Sequence, residues 1–132
     1  MRKSIVCLAL FVTAQAPVGR LPAQPSGLET VTVTLSNFKF TPDAIILQHG
    51  RSYRLHLVNA SGGGHDFTAP GFFAASAIAP PDRAMVTDGK IRLAGKASVD
   101  VTLTPEKPGV YALHCSHFMH SGMGMSGHLT IQ

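Results

Sequence analysis

An all-β fold, an antiparallel β-sandwich, is what this 132-residue chain predicts. Three observations carry the prediction. Apolar and polar residues alternate strictly in several short runs, the pattern of strands with one face in a core and the other in water. Turn residues separate those runs at short intervals. Only residues 72–78 read as helix, about two turns of it, ended by Pro80-Pro81, which cannot continue one. The count comes to seven or eight strands in one domain, with no internal repeat.

The chain opens on Arg2 and Lys3, then an apolar run from Ser4 to Ala16. That run has the length of a signal-peptide core and is too short to span a bilayer as a helix. Residues 1–23 are read as a signal peptide cleaved near Ala23, with Ala14-Gln15-Ala16 as the other candidate site. The mature chain is therefore expected in the periplasm or outside the cell, and Cys7 leaves with the leader. Residues 24–29 are read as a flexible lead-in and 30–132 as the domain. The whole chain has 11 Lys and Arg against 7 Asp and Glu; loss of Arg2, Lys3 and Arg20 leaves 8 against 7. The basic balance belongs mostly to the leader, so no nucleic-acid partner is expected. Nothing after the leader is apolar enough to cross a membrane.

Within the domain, Thr30 to Ser36 places Val31, Val33 and Leu35 on one face and threonines on the other. Phe38 and Phe40 continue the alternation until Pro42-Asp43 breaks it. Ala44 to Leu47 is a short apolar strand. Ser52 to Asn59 alternates again, with Tyr53, Leu55 and Leu57 inward. Ser61-Gly62-Gly63-Gly64 is a loop leading to His65-Asp66-Phe67. Ala84 to Thr87 and Lys90 to Leu93 flank Asp88-Gly89, a two-residue hairpin signal. Ala97 to Thr104 turns Val99, Val101 and Leu103 inward. After the turn at residues 105–109, Val110 to Cys115 and Gly127 to Gln132 are the last strands.

The chemistry is concentrated in residues 114–125, which hold three histidines, three methionines and the one cysteine of the expected mature chain. Thiolate, thioether and imidazole together suit copper better than zinc, calcium or magnesium. A lone cysteine in an oxidising compartment cannot form an internal disulfide, and its free thiol is a liability unless buried or bound. Cys115 ends a strand, His120 follows five residues on, and Met125 five further. Ser121, Gly122 and Gly124 let that loop curl so that the three donors address one centre. His65, on a Gly-rich loop at the end of another strand, is the candidate fourth ligand. Two imidazoles and a thiolate with a weak thioether form an electron-transfer copper set.

Cys115-x4-His120-x4-Met125, followed by Ser126-Gly127-His128-Leu129-Thr130-Ile131, resembles the C-terminal signature of cupredoxins of the plastocyanin and azurin family. Pro108-Gly109-Val110-Tyr111 matches the approach to the family's cysteine, and Asn59 through Phe67 its first-histidine loop. The resemblance covers residues 30 to 132. It implies a Greek-key, cupredoxin-like sandwich with one copper per chain, His65, Cys115 and His120 equatorial and Met125 axial. Phe118-Met119 stands where most simple cupredoxins have Pro-Gly. Residues 114–125 also resemble a multicopper-oxidase run, but the chain has no His-x-His pair for a trinuclear cluster, and Ser116 replaces an adjacent histidine. Asp66, at a position often Asn in the family, is expected to tie the two ligand loops together through Ser116.

The expected function is one-electron transfer by a monomeric non-enzyme whose partner is another redox protein. The alternative is a copper chaperone or resistance protein that passes Cu(I) to an acceptor protein, favoured by the surplus of His and Met in the loop. His117, Met119 and Met123 read as packing or, more sharply, as copper-transfer groups or a weak second site with His114. Phe118 and Met119 are candidates for an apolar docking rim. His49, His56 and His128 read as ordinary strand or surface histidines. A cysteine protease has no use for the methionines, and structural zinc usually has more thiolates.

Overall fold

The computed structural model describes residues 27–120 and 122–132. The expected signal peptide at 1–23 and residues 24–26 of the lead-in lie outside the described residues. Ten strands among the described residues form two five-stranded sheets packed as a β-sandwich. No described helix is long and apolar enough to cross a membrane.

The first sheet is built on the predicted alternation. β1 (Glu29–Ser36), β4 (Tyr53–Asn59) and β8 (Ser98–Pro105) lie side by side at its centre. Their register aligns Val31 with Leu55 and Val101, and Val33 with Leu57 and Val99. These rows form one wall of the core, and Val33, Leu57 and Val101 are fully buried. β2 (Lys39–Thr41) and β6 (Ser76–Ile78) close the edges. β1 begins at Glu29, one residue before the expected boundary, where Glu29 meets Arg51 at 2.7 Å.

The second sheet runs β3 (Ala44–Leu47), β10 (Ser126–Ile131), β9 (Gly109–His114), β5 (His65–Thr68) and β7 (Lys90–Leu93). Ile45, Leu129, Ile131, Leu113 and Ile91 supply the opposite wall. Phe67 from β5 lies between Phe40 and Phe73, edge-on to each at 6.0 Å. The Tyr111 hydroxyl donates to Lys107 O at 2.8 Å and pins the turn that launches β9, the strand leading to Cys115.

Three local expectations change. The strands are not all antiparallel: β1 with β4, and β3 with β10, run parallel. After β2 folds back on β1, the chain crosses to the other sheet as β3 before returning as β4. Parallel neighbours need such a crossover. The helix is Pro70–Ala74 (α1), earlier than expected, and Ser76–Ile78 is strand. Burial of Phe72 and Phe73 sets that turn, and the following segment satisfies its main chain on β8 instead. Ala84 to Thr87 is not a hairpin arm. Pro80–Met85 is a 3-10 helix, anchored by the Asp82 carboxylate accepting the Thr102 N–H at 2.8 Å. Only Thr87 bridges to Lys90 across the Asp88-Gly89 turn, whose φ values of 51° and 69° are left-handed. Lys90 to Leu93 pairs with β5.

Candidate metal centre

The centre lies at one end of the second sheet. β9 ends at His114 and delivers Cys115, fully buried, to the sandwich rim. The loop that follows is closed at its neck, where the Cys115 N–H donates to Met125 O at 3.1 Å. The Met125 N–H in turn donates to His120 O at 2.9 Å, and the His120 N–H to His117 O at 3.1 Å. The short chelate foreseen from spacing is therefore a main-chain knot, and its turn puts Met119 at a φ of 62°. His65 enters from β5, which meets β9 through Thr68 opposite His114.

His65, Cys115 and His120 converge, their ligand atoms all within 4.8 Å of one another. The Cys115 Sγ is 3.8 Å from His65 Nδ1 and 3.5 Å from His120 Nδ1. Nitrogen and sulfur donors at roughly 2.0 and 2.3 Å around one ion sit about 3.7 Å apart in a trigonal plane. The spacings present already fit a metal. Met125, the fourth expected ligand, is fully buried beside Cys115, a neutral thioether in the core.

The electrostatics suit a cation. Burial, then the neighbouring His120 and His117 rings, hold His65 below its ordinary 6.5, against the pull of Asp66. Its imidazole is neutral at physiological pH, with a lone pair free to ligate. Burial pushes the Cys115 thiol above 9.0, against the main-chain N–H groups of Asp66 and His117. Only a bound cation would make its thiolate favourable near neutrality.

Asp66 ties the two ligand segments together. Its Oδ1 accepts from the Ser116 N–H and the Thr68 hydroxyl, each at 2.7 Å, and its Oδ2 from the Ser116 hydroxyl at 2.5 Å. The His117 Nε2 lies 3.7 Å from Oδ2. Burial by itself would raise the carboxyl; the bonds from Ser116 and Thr68 outweigh it and hold Asp66 below 3.8. The unfolded chain therefore takes up this proton at a higher pH than the folded one. The stabilisation is complete above the ordinary carboxyl range and fades as pH falls through the depressed value. Asp66→Asn is expected to flatten the acid limb of a stability-against-pH curve while costing about 1–3 kcal/mol at pH 7. An unchanged limb would show that Asp66 is not the group responsible.

Asn59 is a positioning residue that no motif in the sequence marks. It is buried, and the two protons of its amide are shared among Gly63 O at 2.8 Å, Ala94 O at 3.0 Å and Leu93 O at 3.3 Å. Its Oδ1 accepts from the Ser61 N–H at 3.0 Å and the Ser61 hydroxyl at 2.8 Å. One side chain thus gathers the loop before His65 and the end of β7. Gly95 lets the two segments close: a Cβ there would stand 2.0 Å from Gly62 O, so no side chain fits. The only sequence signal is an Asn that continues the inward alternation of Tyr53, Leu55 and Leu57.

The loop's remaining residues divide. His117 stacks on His120 at 5.4 Å and 24°. Phe38 packs edge-on against His120 at 5.3 Å. Phe118, Met119 and Met123 are exposed, at 90 %, 59 % and 56 %. His56 pairs with Asp100 at 2.7 Å on the outer face of the first sheet, away from this end.

A β-sandwich with a thiol and two imidazoles gathered under a methionine-bearing loop is the architecture this chain has built. The model of the Cupredoxin-like domain matches residues 4–131, and the chain belongs to that family. Among solved structures it is similar to the Na-dithionite-reduced auracyanin of the photosynthetic bacterium Roseiflexus castenholzii. That pair has 18% identity and a TM-score of 0.59, over 80% of this chain and 99% of the other. Auracyanin B is similar at 21% identity and a TM-score of 0.58, over 85% and 93%. At these identities the likeness speaks for the fold. No match to a curated protein was found.

Proposed function

We propose that the protein is an exported, monomeric one-electron carrier whose single copper would be held by His65, Cys115 and His120, with the Met125 thioether as a fourth, weaker ligand. One observation carries this reading: two imidazole nitrogens face one buried sulfur at 3.8 and 3.5 Å. Copper bound there supplies one-electron exchange between its cuprous and cupric states. The chain does the rest. The Asp66–Ser116 bonds and the Cys115–Met125 neck hold the donors in place, which keeps rearrangement between the two states small. Burial of His65, Cys115 and Met125 keeps water away. His120 reaches the surface within a rim of Phe38, Phe118, Met119 and Met123, suited to a brief contact with a redox partner protein. The reduction of the Roseiflexus castenholzii auracyanin by dithionite supports a redox role for this fold. In this reading residues 1–23 are a signal peptide, 24–29 a lead-in and 30–132 the domain, which acts in the periplasm or outside the cell and makes or breaks no substrate bond.

The second reading is a copper-handling protein that passes Cu(I) to an acceptor, favoured by the exposure of Met119 and Met123. Visible and electron paramagnetic resonance spectra after Cu(II) addition test the first reading. An intense blue band with narrow hyperfine splitting, then reversible voltammetry with the metal retained, is expected. A colourless protein that binds only Cu(I) would move the function to copper handling.

Copper is also expected to stabilise the domain. At a free concentration about a hundred times Kd the gain is about 2.7 kcal/mol, which raises the melting temperature by roughly 10–20 °C for a domain of this size. The Cys115 thiol gives up its proton on binding, whereas His65, already neutral, gives up none. Between neutral pH and the raised thiol pKa, apparent affinity should therefore rise about tenfold per pH unit. A pH-independent affinity would mean that the thiol does not ligate.

A further inference from the structure

Met119 and Met123 are over half exposed although neither fills the core. The main chain gives their placement a reason. The Met123 N–H donates to Met119 O at 3.0 Å and also approaches His120 O at 3.3 Å, so both methionines ride on one tight turn wrapped about His120. Behind that turn, His65, Cys115 and Met125 are sealed from solvent, and His120 is the one half-buried donor of the set. His117 stands beside it, its side chain 42% exposed, stacked on His120 and 6.3 Å from the His65 ring. Soft thioethers thus stand at the surface, and imidazoles lead from there to the buried sulfur.

Resting on the copper reading above, we propose that Met119 and Met123 form a surface loading site for cuprous copper, which they pass through His120 to Cys115. Thioethers are neutral, soft donors that favour Cu(I) over Cu(II) or zinc. No electron moves in the transfer. Thioether bonds form as bonds to the delivering ligand break, then exchange for His120 and Cys115, and the Cys115 proton leaves to solvent. Leucine would serve a docking rim equally well, so the sulfur atoms are what the proposal tests.

The test is anaerobic loading of the mature apo-protein from a coloured Cu(I) chelate, wild type against Met119→Leu/Met123→Leu. Leucine keeps volume and apolarity at exposed positions. The variant is expected to load Cu(I) at least about tenfold more slowly, the change made by about 1.4 kcal/mol in the encounter complex. Its rate with Cu(II) should match wild type. Equal Cu(I) rates in a wild type that gives the blue band would overturn this inference alone. A wild type that takes up no Cu(I) and gives no blue band after oxidation would remove the copper centre, and the loading site with it. A second readout uses protein already filled with Cu(I). Added Ag(I), a monovalent soft ion, should shift the Met119 and Met123 methyl resonances; unmoved methyls would overturn the loading site.

Discussion

Replacing Cys115 by serine is expected to erase the intense visible absorption of the copper-loaded domain. The sulfur lies within reach of both imidazole nitrogens and is the only thiol among the described residues. An alcohol oxygen neither ionises near neutrality nor overlaps with copper as a thiolate does. Copper affinity should fall by at least about a hundredfold, equivalent to about 2.7 kcal/mol. The apo-domain should still fold, because serine is nearly isosteric and its hydroxyl costs at most about 1–3 kcal/mol at a buried position. Far-ultraviolet circular dichroism separates a lost ligand from a lost fold. A blue band surviving in the variant would remove Cys115 from the centre and, with it, the electron-carrier reading.

Asn59→Ala is the substitution expected to cost most stability. It removes the amide shared by the carbonyls of Gly63, Leu93 and Ala94 and leaves the Ser61 N–H without its acceptor, while Gly63 O keeps the Ser61 hydroxyl and Ala94 O the Ala97 N–H. A buried polar group left without its partner costs about 1–3 kcal/mol. Water can reach part of this loop, so a net loss of about 2–4 kcal/mol is expected, a large share of the roughly 5–15 kcal/mol that holds a domain together. The same change releases the loop that seats His65, and copper affinity should drop by about 10–100-fold. Urea unfolding and copper competition measure the two effects. A variant within about 1 kcal/mol of wild type would falsify the claim that Asn59 organises the loop. Affinity lost without stability would place its effect on His65 alone.

Much of this was legible one strand at a time. Alternation at Val31, Val33 and Leu35, at Tyr53, Leu55 and Leu57, and at Val99, Val101 and Leu103 marks the inward faces, because a strand's side-chain period of two is a local property. The spacing of Cys115, His120 and Met125 is equally local: donors on one short loop cannot lie far from one another. Family resemblance pairs Asp66 with Ser116, and the hydrogen bonds between them bear that pairing out.

What no local pattern reaches is which distant segments meet. β1 and β4 are parallel because the chain between them visits the other sheet, and nothing in either strand announces that excursion. Ala84 to Thr87 looks like half of a hairpin, yet Lys90 to Leu93 finds a better partner in β5, and Asp82 holds the intervening turn against β8. Phe38 lies far from His120 in the chain and lands on its ring. Asn59 alternates like any core residue, and only the closed loop gives its amide its partners. Periodicity and short chelates are written in neighbouring residues. Crossovers, shared polar anchors and the rim around His120 depend on burial of the whole sandwich, a sum over residues far apart in the chain.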